Sequence, residues 1–299
     1  MKLLITGANG LLGQKIVTLT EGLSNLQVIA TSRGKNRNPK GRYAYRHLDV
    51  TDNQAVYDLL KKELPDVIIN CAAMTQVDQC ETDRENCWSQ NVTAVAHLVE
   101  GCDAINAFLI HLSTDFIFDG LDGPYTEEAT PNPLSYYGES KWAAENLLTN
   151  SPINWAIVRT VLVYGIAHDM SRSNLILWVK DNLEQGNKIR VINDQWRTPT
   201  LAEDLAAGCW AIAQQSATGI FNVSGKDLLT PYDMAIQTAT FFGLDESLIE
   251  EVDGTVFTQP AKRPAKTGFI LEKAQRVLDY APHSFHEGLE LLAQQLKSR

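Results

Sequence analysis

A glycine-rich turn directly behind the first apolar segment constrains this chain more than any other feature. Residues 3–5 are Leu-Leu-Ile, and the sequence GANGLLG follows at residues 7–13. Small residues let the backbone turn sharply and approach a pyrophosphate, whose charge then meets the free N–H groups that begin the next helix. The spacing is G-x-x-G-x-x-G and not G-x-G-x-x-G, and an ordinary strand-to-helix turn is the alternative interpretation. Its position after an N-terminal strand favours a dinucleotide site.

Strand-like and helix-like segments alternate through the first 165 residues. The predicted strands cover residues 2–6, 27–31, 65–70, 108–113 and 155–159. The predicted helices cover residues 11–22, 51–62, 86–106 and 136–149. Near-continuous apolar strands separated by helices indicate a parallel sheet that is covered on both faces. We therefore predict the α/β class: a Rossmann-type doubly wound parallel sheet with a smaller C-terminal α/β substrate domain.

The periodic pattern weakens after Gly165, which suggests two domains. We expect residues 1–165 to form a dinucleotide-binding domain, completed by about residues 189–225. Residues 166–188 and 226–299 would then form the substrate domain. Parallel sheets bind ligands beyond the carboxyl ends of their strands, so the polar residues that follow these strands can share one crevice.

A second motif, YGESK, occupies residues 137–141. Tyr137 and Lys141 are four residues apart, so a helix places both side chains on one face with about 5–6 Å between their β-carbons. A nearby ammonium and a positive nicotinamide ring favour the phenolate, which brings the tyrosine pKa from about 10 towards the working range. Thr114 offers a hydroxyl for the same carbonyl oxygen. Tyr-x-x-x-Lys alone is common on amphipathic helices, but with the glycine turn it predicts hydride chemistry on a carbonyl.

The choice of cofactor depends on the end of the second strand. Many NAD enzymes place an acidic residue there, about 20 residues after the glycine turn. This chain has Ser32 and Arg33 instead, and residues 31–47 hold six basic residues and no acidic one. Ser32 and Arg33, with Lys35 or Arg37, could hold a 2′-phosphate, although a solvated basic loop is the alternative. We predict that NADPH is preferred and that NADH is usable.

Composition and charge exclude several other classes of protein. The net charge of −10 argues against a nucleic-acid partner. No apolar run approaches the roughly 18 residues of a membrane span, and the N-terminus lacks a signal-peptide pattern, so we expect no membrane association and a cytoplasmic location. The five cysteines form no C-x-x-C pair. We predict no metal site, and packing or surface roles for all six histidines, including His111.

Several motifs occur in the order of a known family. They occupy residues 6–13, 70–78, 113–120, 137–141, 159–160, 163–165, 194–195, 199–200, 204–206 and 263–264. On these motifs the chain resembles the extended short-chain dehydrogenase/reductases, and within them the dTDP-4-dehydrorhamnose reductases, over nearly its whole length.

The resemblance implies a catalytic trio of Thr114, Tyr137 and Lys141. The reaction would transfer a hydride from NADPH to C4 of a nucleotide-linked 4-keto-6-deoxysugar, and Tyr137 would give the proton. Together with the residue-based argument, the expected cofactor contacts are Gly7, Asn9, Gly10, Leu11, Leu12, Gly13, Ser32, Arg33, Asp49, Val50, Asn70, Ala72, Ala73, Tyr137 and Lys141. The expected substrate contacts are Thr114, Asp115, Phe116, Asn174, Arg197 and Arg263. The oligomeric state is open, and a homodimer is one candidate.

Three residues depart from the family pattern. Phe116 replaces a tyrosine, Leu162 replaces a tryptophan, and Arg197 replaces a small glycine before a Pro-Thr pair. Phe116 and Leu162 would be simple apolar replacements. Arg197 would either grip a phosphate or close the family's usual pocket.

There are two alternatives, an enzyme of the same superfamily and a protein of a different functional class. One is a nucleotide-sugar epimerase or dehydratase that retains its NAD. The other is an NAD(P)-binding regulatory subunit that resembles the β subunit of methionine adenosyltransferase, which also has an arginine before Pro-Thr. The basic loop argues against the epimerase or dehydratase, and the intact catalytic trio favours catalysis over the regulatory role.

Overall fold

Most of the apolar segments expected as strands form one parallel sheet in the computed structural model, which describes residues 1–170 and 173–298. The strands in those ranges are β1 (Lys2–Thr6), β2 (Gln27–Ser32), β3 (Ala44–His47), β4 (Val67–Asn70), β5 (Phe108–Thr114), β6 (Trp155–Thr160), β7 (Val163–Tyr164), β8 (Ile189–Ile192), β9 (Thr200–Leu201), β10 (Gly219–Asn222) and β11 (Ile249–Val252). Seven of them form the main sheet in the order β10-β6-β5-β4-β1-β2-β3, with every neighbouring pair parallel. This order confirms the predicted Rossmann-type, doubly wound α/β class.

Helices cover both faces of the main sheet. The described helices are α1 (Leu11–Thr20), α2 (Asn53–Glu63), α3 (Val77–Thr82), α4 (Arg84–Trp88), α5 (Ala94–Ile105), α6 (Tyr136–Thr149), α7 (Leu175–Glu184), α8 (Ala202–Gln215), α9 (Pro231–Phe242), α10 (Glu272–Leu278) and α11 (Phe285–Lys297). Helices α1, α8 and α10 pack on one face, and α2, α5 and α6 pack on the other. Across the described residues, no helix has both the length and the apolar character that crossing a membrane requires.

The alternation of side chains along β1 explains why the sheet has a core on each face. Leu3 and Ile5 belong to the core beneath α1 and α8, whereas Leu4 belongs to the core beneath α2 and α5. All three side chains are fully buried. Because successive residues of a strand point to opposite faces, a strand that is covered on both sides must be apolar throughout.

The C-terminal part carries a small sheet of its own. Strand β10 and helix α8 join the main sheet and its covering layer, as expected for part of residues 189–225. Strand β8, from the same segment, pairs with β11 outside the main sheet. Ile189 and Val191 of β8 pack with Val179 and Ala235 of α7 and α9, so burial there sets the pairing. Residues 189–192 therefore lie apart from the unit we expected them to complete, and the overall domain division stays a prediction.

The helix expected over residues 86–106 is interrupted. After α4 the chain forms a π-helical turn at Ser89–Thr93 before α5 begins. Asn91 in this turn is buried, and its side chain bonds both backbone groups of Met74 and the Ser140 hydroxyl. Such π turns are frequent at functional sites. Here the turn fastens the loop after β4 to helix α6, two segments that border the same cleft.

Candidate active site

A cleft with a volume of about 1170 Å³ lies beyond the carboxyl ends of β1, β2, β4 and β5. Helix α7, strand β8 and residues 257–263 contribute its opposite wall. Every residue that we predicted as a cofactor, catalytic or substrate contact lines this cleft, apart from Asn70. Asn70 is buried beneath the cleft floor with 2% of its surface exposed. The sequence-based selection therefore converges on one place in the fold.

The glycine turn has the geometry that a bound pyrophosphate requires. Gly7 has a φ of +62°, and a Cβ there would lie 2.7 Å from the backbone nitrogen of Ala72. A Cβ at Gly13 would lie 2.6 Å from the Gly7 carbonyl oxygen. Gly10 precedes α1 without a side-chain cap, so no side chain occupies the N–H groups of the first turn. These groups and the helix dipole face the cleft and fit an anionic ligand.

Asn9 connects the glycine turn to the basic loop after β2. Its Nδ2 donates to the carbonyl of Lys35 at 2.9 Å and to the hydroxyl of Tyr45 at 3.1 Å. Its Oδ1 accepts from the backbone N–H of Arg37 at 3.0 Å. Asn9 therefore orders the loop with the same side chain that we expected to contact the cofactor directly.

Arg33 lies in this loop with little to hold it in place. Its side chain is 60% exposed, and its guanidinium is 3.9 Å from the Asp49 carboxylate and 3.3 Å from the Gln90 amide oxygen. The Asp49 carboxylate also accepts two hydrogen bonds from Thr51. An exposed cation beside Ser32 at the end of β2 suits a 2′-phosphate.

Tyr137 enters the cleft from the first turn of α6. Ser135 caps this helix by accepting from the Gly138 N–H at 3.2 Å, which fixes where the helix begins. Burial raises the pKa of Tyr137 well above its usual value, while a hydrogen bond with Thr114 acts in the opposite direction. This differs from the expectation that Lys141 brings the pKa down, because burial has the largest influence. The phenol is protonated at neutral pH, as a proton donor must be.

Lys141 is directed at a histidine that we had expected only to pack. Its Nζ lies 3.1 Å from Nε2 of His111, and Nδ1 of His111 lies 3.0 Å from Nδ2 of Asn70. Burial lowers the pKa of Lys141 to about 8, and Glu145 acts in the opposite direction. Burial and Lys141 lower the pKa of His111 well below 6.5, so its imidazole is neutral. The pairing of β4 with β5 puts Asn70 beside His111, and this register is the signal that could have found the histidine.

Arg197 and Asp115 form part of the cleft wall. Arg197 is 5% exposed, and its guanidinium donates to the carbonyls of Trp196 and Pro264 at 2.7 and 2.8 Å. Its Nε is 3.8 Å from the Asp115 carboxylate, which also accepts from Thr267 at 2.5 Å. Burial raises the pKa of Asp115, and Arg197 acts against it. Of our two hypotheses for Arg197, this geometry favours closure of the pocket over a grip on phosphate.

Asn174 and Arg263 also line the cleft with their polar groups engaged by the protein. Asn174 caps α7 by accepting from the Leu177 N–H at 3.2 Å and donates to the Gly165 carbonyl at 2.7 Å. Arg263 makes a bidentate pair with Asp78, with distances of 3.1 and 2.8 Å. Both residues hold the wall together, and their contact with a substrate stays a prediction.

The outer rim of the cleft contains residues that the sequence did not reveal. Trp178 of α7 is 38% exposed, and Arg190 of β8 lies 5.5 Å from the ring centroid of Phe257. Gln259 lies on the same rim. The weak periodicity after Gly165 gave no sign that these side chains meet, since they come from three separate elements.

The fold, the glycine turn and the buried tyrosine and lysine define a class: Rossmann-type oxidoreductases of the short-chain dehydrogenase/reductase kind. The model of one family, described as the RmlD substrate binding domain, matches residues 1–298. The chain belongs to this family.

Relatives with similar sequences include both reductases and a regulatory subunit. The probable low-salt glycan biosynthesis reductase Agl14 of Haloferax volcanii is 34% identical, over 96% of this chain and 96% of its own length. Methionine adenosyltransferase 2 subunit beta of Rattus norvegicus is 32% identical, over 84% of this chain and 75% of its own. The dTDP-4-keto-6-deoxy-D-glucose reductase of Streptomyces niveus is 32% identical, over 88% of this chain and 86% of its own.

Two solved structures are similar along nearly the whole chain. A dTDP-4-dehydrorhamnose reductase from Clostridium acetobutylicum has a TM-score of 0.87 and 29% identity, covering 99% of this chain and 100% of its own. A dTDP-4-dehydrorhamnose reductase from Bacillus anthracis was solved in complex with NADP. It has a TM-score of 0.84 and 26% identity, and the match covers 98% of this chain and 99% of that one.

Proposed function

We propose that this protein is an NADPH-dependent reductase that converts the keto group of a nucleotide-linked 4-keto-6-deoxysugar into an alcohol, with dTDP-4-dehydrorhamnose as the favoured substrate. The observation that carries this proposal is that Tyr137 shares one cleft with Thr114, Lys141 and the glycine turn. The reductases among the relatives and solved structures support the same reaction and substrate class.

In this proposal the protein's own groups handle the proton. Thr114 and Tyr137 orient the carbonyl oxygen, and the Tyr137 O–H bond breaks as a new O–H bond forms on the sugar. When bound, NADPH supplies the hydride that the carbonyl carbon accepts. Tyr137 then regains a proton, and we assign the Lys141 ammonium, four residues further along α6, as its source. We assign the catalytic roles to these three residues.

The basic loop after β2 supports the preference for NADPH. Arg33 and Ser32 stand where a 2′-phosphate would lie, and no acidic side chain takes the place that a 2′-hydroxyl would need at the end of β2. The structure of a relative in complex with NADP supports the same cofactor. We expect NADH to be usable, since the glycine turn serves both cofactors alike.

Other properties stay predictions. The net charge of −10 argues against a nucleic-acid partner. A homodimer and a cytoplasmic location accompany the proposal. A regulatory role is the less favoured alternative despite the similarity to the methionine adenosyltransferase subunit, because Thr114, Tyr137 and Lys141 are all present and buried. An epimerase or dehydratase is also less favoured.

The test follows NADPH absorbance in the presence of a dTDP-4-keto-6-deoxysugar. We expect Tyr137→Phe to lower kcat by at least about 100-fold, because it removes the proton donor, and to leave the NADPH dissociation constant nearly unchanged. Equal turnover in both proteins would contradict the role of Tyr137. Tightly held NAD, with no consumption of NADPH, would instead point to an epimerase or dehydratase.

A further inference from the structure

Four polar side chains form a hydrogen-bonded row that leads from three strands of the main sheet to helix α6. Thr6 Oγ1 lies 2.5 Å from Asn70 Oδ1, Asn70 Nδ2 lies 3.0 Å from His111 Nδ1, and His111 Nε2 lies 3.1 Å from Lys141 Nζ. The first three residues are partners in register across β1, β4 and β5. None of the four exposes more than 2% of its surface. A buried polar row of this kind is costly unless every member is paired, and here every member is.

The row has one pattern that suits an uncharged Lys141. Asn70 Oδ1 accepts from Thr6 and lies 3.3 Å from the backbone N–H of Ala72, so its Nδ2 donates to His111 Nδ1. A neutral imidazole has one donor and one acceptor nitrogen, and Nε2 must then carry the hydrogen. That hydrogen can only be donated to a Lys141 amine with a free lone pair.

The same atoms allow a second pattern that suits a charged Lys141. If the Asn70 amide turns over, its Nδ2 donates to the Thr6 hydroxyl oxygen and its Oδ1 accepts from a protonated His111 Nδ1. The bare Nε2 then accepts from the Lys141 ammonium. Ala72 keeps an acceptor throughout, because its N–H also lies 3.3 Å from Thr6 Oγ1.

We propose that His111 is a positioning residue that keeps the Lys141 nitrogen hydrogen-bonded in both of its protonation states, by exchanging between its two neutral tautomers. This inference rests on the proposed reductase function for its role in turnover. After Tyr137 has given its proton to the sugar, an N–H bond of the Lys141 ammonium breaks and an O–H bond forms on the phenolate. As Lys141 becomes neutral, the Nδ1–H bond of His111 breaks, an Nε2–H bond forms and the Asn70 amide turns over, so the imidazole keeps one proton. The reverse changes follow when the amine takes a proton from solvent.

Other titratable groups surround Lys141, and the experiment must separate them from His111. They are Cys80 on α3, Cys87 on α4 and Glu145 on α6. Glu145 is held in a buried ion pair with Arg159 at 2.7 Å. Cys87 is the main competitor, since its hydrogen bonds lower its thiol pKa to about 7 although burial opposes them.

A direct test needs neither substrate nor cofactor. Protein with ¹⁵N-labelled histidine is titrated between pH 6 and 10, with His111→Gln identifying the His111 signals. We expect a neutral imidazole throughout, whose tautomer changes from Nδ1–H to Nε2–H around the Lys141 pKa of about 8. The change should vanish in Lys141→Met and persist in Cys87→Ala. One unchanging tautomer over this range would overturn the proposal, whether or not the protein proves to be a reductase.

Kinetics with NADPH and the keto-sugar give the second readout. The ammonium is the proton source, so kcat should fall as pH rises through about 8. His111→Phe leaves the buried ammonium without its acceptor. We therefore expect the falling limb of the pH profile of kcat to move to lower pH by about one unit, and kcat to fall about 10- to 100-fold. His111→Gln, whose amide can donate or accept, should keep the limb within about half a unit of the wild type.

A control for lost stability is Thr20→Val, which removes a buried hydroxyl that bonds only its own helix. It should lower the melting temperature without moving the limb. If His111→Phe does not fold, His111→Gln and Thr6→Val are compared, and Thr6→Val should move the limb in the same direction by a smaller amount. A limb that is unmoved in folded His111→Phe, or equally displaced in His111→Gln, would overturn the proposal.

Discussion

The two walls of the cleft differ in how much of their polar chemistry the protein has already used. On the sheet wall, no side chain caps the first turn of α1, and the Tyr137 hydroxyl is hydrogen-bonded to Thr114, another residue of the cleft. On the opposite wall, Arg197, Asn174 and Arg263 are bound to carbonyls, an amide or a carboxylate of the protein itself. A polar side chain that lines a cleft is therefore not by that fact a ligand contact.

This difference separates reaction chemistry from recognition. The sheet wall holds the groups that any carbonyl reductase of this kind would need, in fixed positions. The side chains that are free to contact a nucleotide-sugar belong to the rim, where Trp178 is exposed and Arg190 stacks against Phe257. The three departures from the family pattern, Phe116, Leu162 and Arg197, all line the cleft.

The largest effect is expected at Arg197, where the wall itself depends on one side chain. Arg197→Gly leaves Asp115 buried without its guanidinium and removes the donor to the Pro264 carbonyl. We expect a loss of about 3–5 kcal/mol in the free energy of unfolding, measured by denaturant titration. Arg197→Lys keeps the charge but not the fork of donors and should lose less. Unchanged stability with a raised KM for the sugar would mean that Arg197 recognises substrate.

An intermediate effect is expected at Arg33, on the sheet side. Arg33→Ala should raise the KM for NADPH about tenfold, because it removes a charge-assisted bond to the 2′-phosphate, and should leave the KM for NADH unchanged. The matched control is Lys35→Ala in the same loop, whose side chain does not line the cleft and whose effect should be smaller. An equal rise for both cofactors would show that Arg33 does not select between them.

The smallest effect is expected at the ion pair of Asp78 and Arg263. Because the side chains are 42% and 18% exposed, Asp78→Asn should change the free energy of unfolding by less than about 1 kcal/mol. The KM for the keto-sugar should change by less than about threefold. A large rise in that KM, with native stability, would place Arg263 among the substrate contacts and make the two walls more alike.

Some helix ends are marked by local signals in the sequence. Helix α9 begins after Thr230 because its side chain and that of Asp233 form a reciprocal capping box, and it ends at Gly243 with a φ of +65°. The ends of α6 also agree with the sequence prediction. These signals act within one turn of the chain, so the sequence displays them directly.

Contacts between residues that are distant in the chain could not be predicted from the sequence. The π-helical turn at Ser89–Thr93 depends on Asn91 finding Met74 and Ser140, which are distant in the chain. The place of β8 depended on which apolar neighbours were available to it. His111 looked like a packing residue because its partners come from another strand and a helix. The hydrogen-bond partners of a polar residue inside a strand depend on the register that aligns the strand with its neighbours.

The side chain of Asn9 has a consequence for how the cofactor is bound. Ordering the backbone of a loop costs about 1–2 kcal/mol of conformational entropy for each residue that is fixed. Asn9 bonds the loop at Arg33, Lys35 and Arg37, so much of that loss occurs when the chain folds. A dinucleotide that arrives at the turn meets a loop that is already preorganised, and more of its phosphate contacts can appear as affinity.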